Sequence, residues 1–241
     1  MDAIFFLKAG VPSGLPPNVK GIQLDPVTYG FSCGGADKYC STAYSQLWQH
    51  LGGAAGGVIA KLKAQYGIDG KVSFVGFSAA HGFLNPLLNH ESPDAVVLVD
   101  ATFGGGKDGY IKAAKAAAVG GPLLVSVTSD KGSTDALNNG DYAWRKFVLE
   151  PAGMTLSPTS PVSPMPPPSK GVSSLGNLWY YRYSDAEIHH WDMGKILPHV
   201  VKAHLSGAVG KSGPKSSFLP VLIAVAGGYF VWRFFSRRTP T

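Results

Sequence analysis

The sequence predicts an α/β fold: a mostly parallel sheet of about six strands with helices on both faces, followed by a C-terminal hydrophobic helix. Three observations carry this expectation. Short apolar runs without polar alternation recur along the chain, as expected of strands buried on both faces. Segments with helical spacing separate them, the pattern of parallel strands joined by crossover helices. The run at residues 72–75 leads into Gly76-Phe77-Ser78-Ala79-Ala80, small residues around a serine, and then into a segment that can be helical.

Taken in order, strands are expected at residues 3–7, 21–24, 72–75, 95–99, 123–127 and 178–183. Helical segments are expected at 42–65, 108–118, 134–149 and 191–205. The string GGAAGG at 52–57 either breaks the first of these in two or lets it pack closely on the sheet. The last places Met193, Ile196, Leu197, Val200, Val201 and Leu205 on one apolar face. Pro198 must sit in its first turn or kink it. Residues 150–170 hold seven prolines and read as an extended surface loop of polyproline character. The loop is a spacer, with a partner-binding segment or a flap as alternatives. These elements make one domain over residues 1–207.

The chain has 241 residues, enough for a sizeable core. Hydrophobic residues are 45% and charged residues 15%, which excludes a disordered chain. The net charge of +6 is scattered, with no basic stripe interleaved with aromatics, so nucleic-acid binding is not expected. Cys33 and Cys40 flank the six residues 34–39. They form either a small disulfide loop or two free thiols. No cofactor and no metal is expected, two cysteines without a nearby histidine being a poor zinc site.

Residues 218–235 are almost entirely apolar and follow a Gly/Ser/Lys linker at 208–217. The length suits one transmembrane helix at ~1.5 Å per residue. Tyr229 and Trp232 suit the interfacial belt, and Arg233 can snorkel. A basic tail, 236–241, ends the chain. The N-terminus has an acidic second residue and a short apolar run, so it reads as a strand rather than a secretory signal. The expected location is therefore a membrane, by a single C-terminal anchor, with the domain on the cytoplasmic side.

A serine hydroxyl needs an adjacent base and a carboxylate that orients the base. Small residues two before and two after Ser78 allow a sharp strand-to-helix turn, with the serine at its apex. Ligands in open α/β sheets gather beyond the carboxyl ends of strands. Asp100 and Asp130 both fall at such ends, and Asp135 lies close by. His189 and His190 follow the last expected strand, with His190 preferred because it leads directly into the final helix. One oxyanion donor would be the Ala79 N–H, and the other Ala9 or Gly10, in the loop after the first strand.

This order of strand, Ser78 turn, aspartate and histidine resembles the α/β-hydrolase superfamily over residues 1–207. The resemblance implies a compact, cutinase-like serine esterase or lipase with a Ser-His-Asp triad and an acyl-enzyme. It implies Asp130 as the acid, because the usual acid follows the strand second from last. Ala80 stands where the family's second glycine is usual, and Gly82 and Pro86 are expected to shorten or bend the helix after the serine. The expected partners are a small-molecule ester or lipid and a membrane, with a protein at the proline-rich loop as a further one. A second function class is a hydrolase-like scaffold that serves as a membrane- or virion-associated assembly protein. A third, nucleotide binding at the glycine-rich residues 103–108, lacks phosphate-loop spacing.

Overall fold

The computed structural model describes residues 1–34, 40–102, 107–135 and 139–206. Eight strands form one sheet: β1 (Asp2–Leu7), β2 (Val19–Leu24), β3 (Val72–Phe77), β4 (Ala95–Val99), β5 (Leu123–Asp130), β6 (Ser157–Thr159), β7 (Val172–Leu175) and β8 (Leu178–Ser184). Their order is β2-β1-β3-β4-β5-β8-β7-β6. Pairing from β2 through β8 is parallel, and β7 and β6 add an antiparallel edge.

The sheet thus has eight strands rather than about six. All six expected runs are strands, and the two extra ones lie within residues 157–175. Gly176 and Asn177 connect β7 to β8 in two residues, with Gly176 at φ 58°. A left-handed first position is what a tight hairpin needs, and glycine adopts it without a Cβ clash. The exposed β6 strand tolerates Pro158 because it is the sheet's last strand.

Successive strand residues point to opposite faces. On one face Phe5, Phe74, Leu98 and Leu124 bury themselves under five helices. These are α1 (Ser41–His50), α2 (Val58–Tyr66), α3 (His81–His90), α4 (Asp108–Ala118) and α5 (Gly140–Trp144). The glycine string separates α1 from α2, and its Gly52, Gly53, Gly56 and Gly57 all take positive φ. The expected helix 134–149 instead starts at Gly140, where the Asn139 side chain accepts from the Tyr142 N–H. It continues through a wider turn at Arg145–Leu149 into α6 (Glu150–Ala152). On the other face Phe6, Val75, Val97 and Val127 pack against Ile196, Leu197, Val200, Val201 and Leu205. Pro198 lies in the first turn of α7 (Leu197–Val200), where its missing N–H costs nothing.

The helix after Ser78 is not shortened, for α3 runs ten residues through Pro86. Gly82 serves packing instead: a Cβ there would fall on the Ser41 carbonyl oxygen at the start of α1. A Cβ on Gly109 would fall on the Asn85 carbonyl oxygen in the same way, so α3 is gripped from both sides.

The proline-rich segment is docked rather than a loose spacer. Met165 is buried on the second face. The Val162 N–H donates to Tyr181 Oη at 3.2 Å, and Tyr183 Oη donates to the Pro166 carbonyl at 2.6 Å. Cys33 and Cys40 are joined as a disulfide. Among the described residues no helix is long and apolar enough to cross a membrane. The apolar run 218–235, with its linker and basic tail, lies outside the described residues.

Two buried polar groups tie the layers together. Asp141, on α5, is fully buried and accepts from Arg145 Nε at 2.9 Å, from Arg182 Nε at 2.8 Å and from Tyr180 Oη. His204 lies on the second face, with Nε2 2.8 Å from Tyr181 Oη and its ring 5.3 Å from that of Trp179. Burial pushes the His204 pKa down to about 4. An unfolded histidine titrates near 6.5, so between these values the unfolded chain takes the proton and the folded chain refuses it. Stability is therefore full above about pH 6.5 and falls as the pH drops towards 4, by up to about 3 kcal/mol from this residue. His204→Gln keeps a partner for Tyr181 and is expected to flatten that part of the slope. Urea titrations of both proteins at pH 7 and 4.5 measure the difference, and parallel losses would remove His204 from the account.

Candidate active site

The strand register brings three loops to one level. Leu7 of β1 pairs with Gly76 of β3, and Gly76 pairs with Leu98 of β4. Ser78 and Asp100, each just past its strand, therefore stand side by side at the carboxyl edge. The chain leaves β1 towards β2 on one side and β3 towards β4 on the other. The crevice between β1 and β3 is thus the point where connections diverge, the usual place for a ligand in an open α/β sheet.

Backbone strain marks the same edge. The non-glycine residues at positive φ are Lys8 (54°), Ser78 (52°) and Asp100 (43°) among the described residues. Each follows the last residue of β1, β3 or β4. Such conformations cost roughly 1–3 kcal/mol each and persist only where the surrounding structure enforces them. At Ser78 the enforcement is visible: a Cβ on Gly76 would lie 2.9 Å from Ala80 Cβ and collide with Leu84. The turn closes so tightly that residues 76 and 80 must both be small. Ala80 fulfils that need, and Ala79 opens the helical turn with its N–H at the helix start. His81 Nδ1 donates to the Ser78 carbonyl at 3.2 Å. Burial first, then the charges of Lys107 and Lys8, push the His81 pKa down to about 4, so its ring is neutral at pH 7.

His190 meets Asp100. Its Nδ1 lies 3.1 Å from Asp100 Oδ2. Asp100 is fully buried, and its other oxygen accepts the Ser129 N–H at 2.8 Å. Ser129 Oγ also donates to Oδ2. A carboxylate held by three donors fixes the proton of His190 on Nδ1, which makes Nε2 the basic nitrogen. The His190 ring stacks on Phe77, the residue before the serine, with centroids 5.0 Å apart. Among the described residues no hydrogen bond joins Ser78 Oγ to that ring.

Asp130, expected as the acid, turns elsewhere. Strand β5 runs three residues beyond its expected end at 127 and carries Asp130 out to pair with Ser184. The Asp130 carboxylate accepts the Gly132 N–H at 2.8 Å and Asn139 Nδ2 at 3.1 Å, with Lys170 Nζ at 3.7 Å. Burial raises its pKa, but those three partners and the Arg182 charge outweigh it and hold the carboxyl below its usual range. Asp135 lies in the loop beyond, its N–H on Ser133 Oγ. His189 sits half exposed, 3.7 Å from Asp185. Ala9 is buried after β1, and Gly10 beside it is exposed.

Sequence reasoning missed Ser129, since nothing distinguishes one hydroxyl in the run Thr128-Ser129. It also passed over Lys8 and Lys107. Lys107 is nearly buried, with Nζ donating to the Thr102 carbonyl and lying 5.9 Å from the centre of the Tyr110 ring. Burial pushes its pKa down to about 8. A cleft of about 420 Å³ lies between residues 12–16 and Pro198, Val201 and Lys202, next to the β1 loop. A smaller one between Leu88 and Leu124 lies at the opposite end of the strands. Neither is lined by Ser78, Asp100 or His190. No group of acidic, histidine or cysteine side chains among the described residues is arranged to hold a metal ion. No family model matches the chain, and neither a curated protein nor a solved structure is significantly similar to it.

Proposed function

We propose that this protein is an α/β-hydrolase-like serine hydrolase that cleaves an ester or lipid acyl bond, with Ser78 as nucleophile, His190 as base and Asp100 as the carboxylate that orients it. The observation that carries this reading is the strained serine, φ 52°, level with a buried His190–Asp100 pair at 3.1 Å. His190 Nε2 takes the Ser78 proton as Oγ attacks the carbonyl carbon, and returns it to the leaving alcohol. Asp100 stabilises the imidazolium without taking a proton. The oxyanion is met by the Ala79 N–H and by an N–H of Ala9 or Gly10. Water then repeats the sequence on the acyl-enzyme. In the free enzyme a nucleophile and its base are often not yet in hydrogen-bond contact.

The apolar segment 218–235 supports membrane tethering, and with it acyl esters or lipids as substrates. The Cys33–Cys40 disulfide favours an oxidising compartment over the cytoplasmic placement expected from the order of segments. The alternative, a hydrolase-like scaffold that binds a partner, is favoured by the missing Ser78–His190 hydrogen bond. A fluorophosphonate probe separates the two. Labelling of the full chain that disappears in Ser78→Ala is the expected result. An unlabelled wild-type protein leaves the scaffold reading, and labelling that survives the substitution moves the nucleophile elsewhere.

A further inference from the structure

Two of the three strained residues at the carboxyl edge contribute a side chain to the proposed reaction, and the Lys8 side chain has no part in it yet. Left-handed backbone at a residue with a long side chain is costly and is kept only where something requires it. Lys8 flanks the crevice between β1 and β3 on the side opposite Ser78. It is partly buried, and no hydrogen bond or ion pair joins its ammonium to another described residue. Its charge reaches His81, whose ring sits on the Ser78 carbonyl, and so does the charge of the nearly buried Lys107. The buried carboxylate at this edge, Asp100, has its oxygens committed to Ser129 and His190. The surroundings of Ser78 are therefore cationic, and the neutral His81 does not offset them.

We propose that Lys8 anchors the substrate by an anionic group, so that the preferred substrate is an ester bearing a negative charge a few bonds from the scissile carbonyl. This rests on the hydrolase reading and adds the substrate class. A cation beside the crevice favours binding of such a substrate and holds its carbonyl over Ser78. A neutral ester of the same length reaches the same serine without that anchor. The preference must weaken with salt, because the pair is only partly shielded from solvent.

The test compares two p-nitrophenyl esters of adipic acid on the full chain, one with a free carboxylate at the far end and one with that end methylated; the diacid is long enough that its own carboxylate does not close a cyclic anhydride and expel the nitrophenolate. The expected kcat/KM ratio favours the free carboxylate by about tenfold at low salt and falls as sodium chloride is added. Lys8→Met is expected to bring the ratio close to one, and Lys8→Arg to retain most of it. A ratio cancels any general effect of the substitution on the turn. Ser78-dependent hydrolysis with no preference in the wild-type protein overturns this inference and leaves the hydrolase reading standing. So does a preference that Lys8→Met leaves unchanged. Absence of Ser78-dependent turnover of either ester overturns both.

Discussion

Asp100→Asn is expected to lower kcat by about 10³–10⁴-fold with little change in KM, while Asp130→Asn stays within a few-fold of the wild-type rate. Three donors converge on the Asp100 carboxylate: the Ser129 N–H, the Ser129 hydroxyl and His190 Nδ1. A carboxylate accepts all three. An asparagine has one acceptor oxygen and presents an NH₂ group that His190 can meet only by accepting on Nδ1. The ring proton then moves to Nε2, and the nitrogen that the proposed mechanism uses as base is already protonated. The substitution preserves shape, so the loss appears in the chemical step and not in binding. Asp130 serves its own turn through Gly132 and Asn139, and an amide oxygen can still accept from both. Steady-state kinetics on an activated ester, together with the rate of fluorophosphonate labelling, measure both variants. A large loss in Asp130→Asn with a small one in Asp100→Asn would return the acid to the end of β5.

The difference between those two aspartates shows where sequence reading stopped. Both close an apolar run, and both were eligible. What separates them is register. Val99 pairs with Val127, so Asp100 stands at the level of Thr128, while Asp130 lies two residues further out. Nothing in one strand's sequence tells how far its neighbour extends. The inner strands β1, β3, β4 and β5 were legible because burial on both faces demands continuous apolar runs. The edge strand β6 was not, since an exposed edge makes no such demand and accepts proline. The serine turn was legible for a steric reason, the small residues at 76 and 80, and these do approach within 2.9 Å once a Cβ is placed on Gly76. Lys8 was illegible because its signal is a dihedral angle, not a residue type.

Asp141→Ala is expected to be the most destabilising single change outside the apolar core, at about 3 kcal/mol. Removing one partner of a buried ion pair costs roughly 3–5 kcal/mol, because the remaining charge is left uncompensated. Here the remaining charges are two guanidiniums, and their exposures of 45% for Arg145 and 29% for Arg182 let water reach them, which argues for the lower figure. The Tyr180 hydroxyl has less recourse. It is buried, and without the carboxylate it is left with the Asp141 main-chain carbonyl at 3.4 Å and the Thr128 side chain. The network also decides the architecture locally, since one carboxylate ties α5 to two consecutive alternate residues of β8. For a domain of this size the loss corresponds to a fall in Tm of about 6–12 °C. Glu150→Gln, which breaks the solvent-exposed pair with Lys146 one helical turn along, provides the comparison and is expected to leave Tm where it was. Thermal unfolding followed by circular dichroism reads both. A shift of less than about 2 °C in Asp141→Ala, well under the figure expected for an uncompensated buried charge, would mean that water solvates the two arginines as well as the carboxylate does, and that α5 is held to the sheet by Trp144 and its apolar neighbours alone.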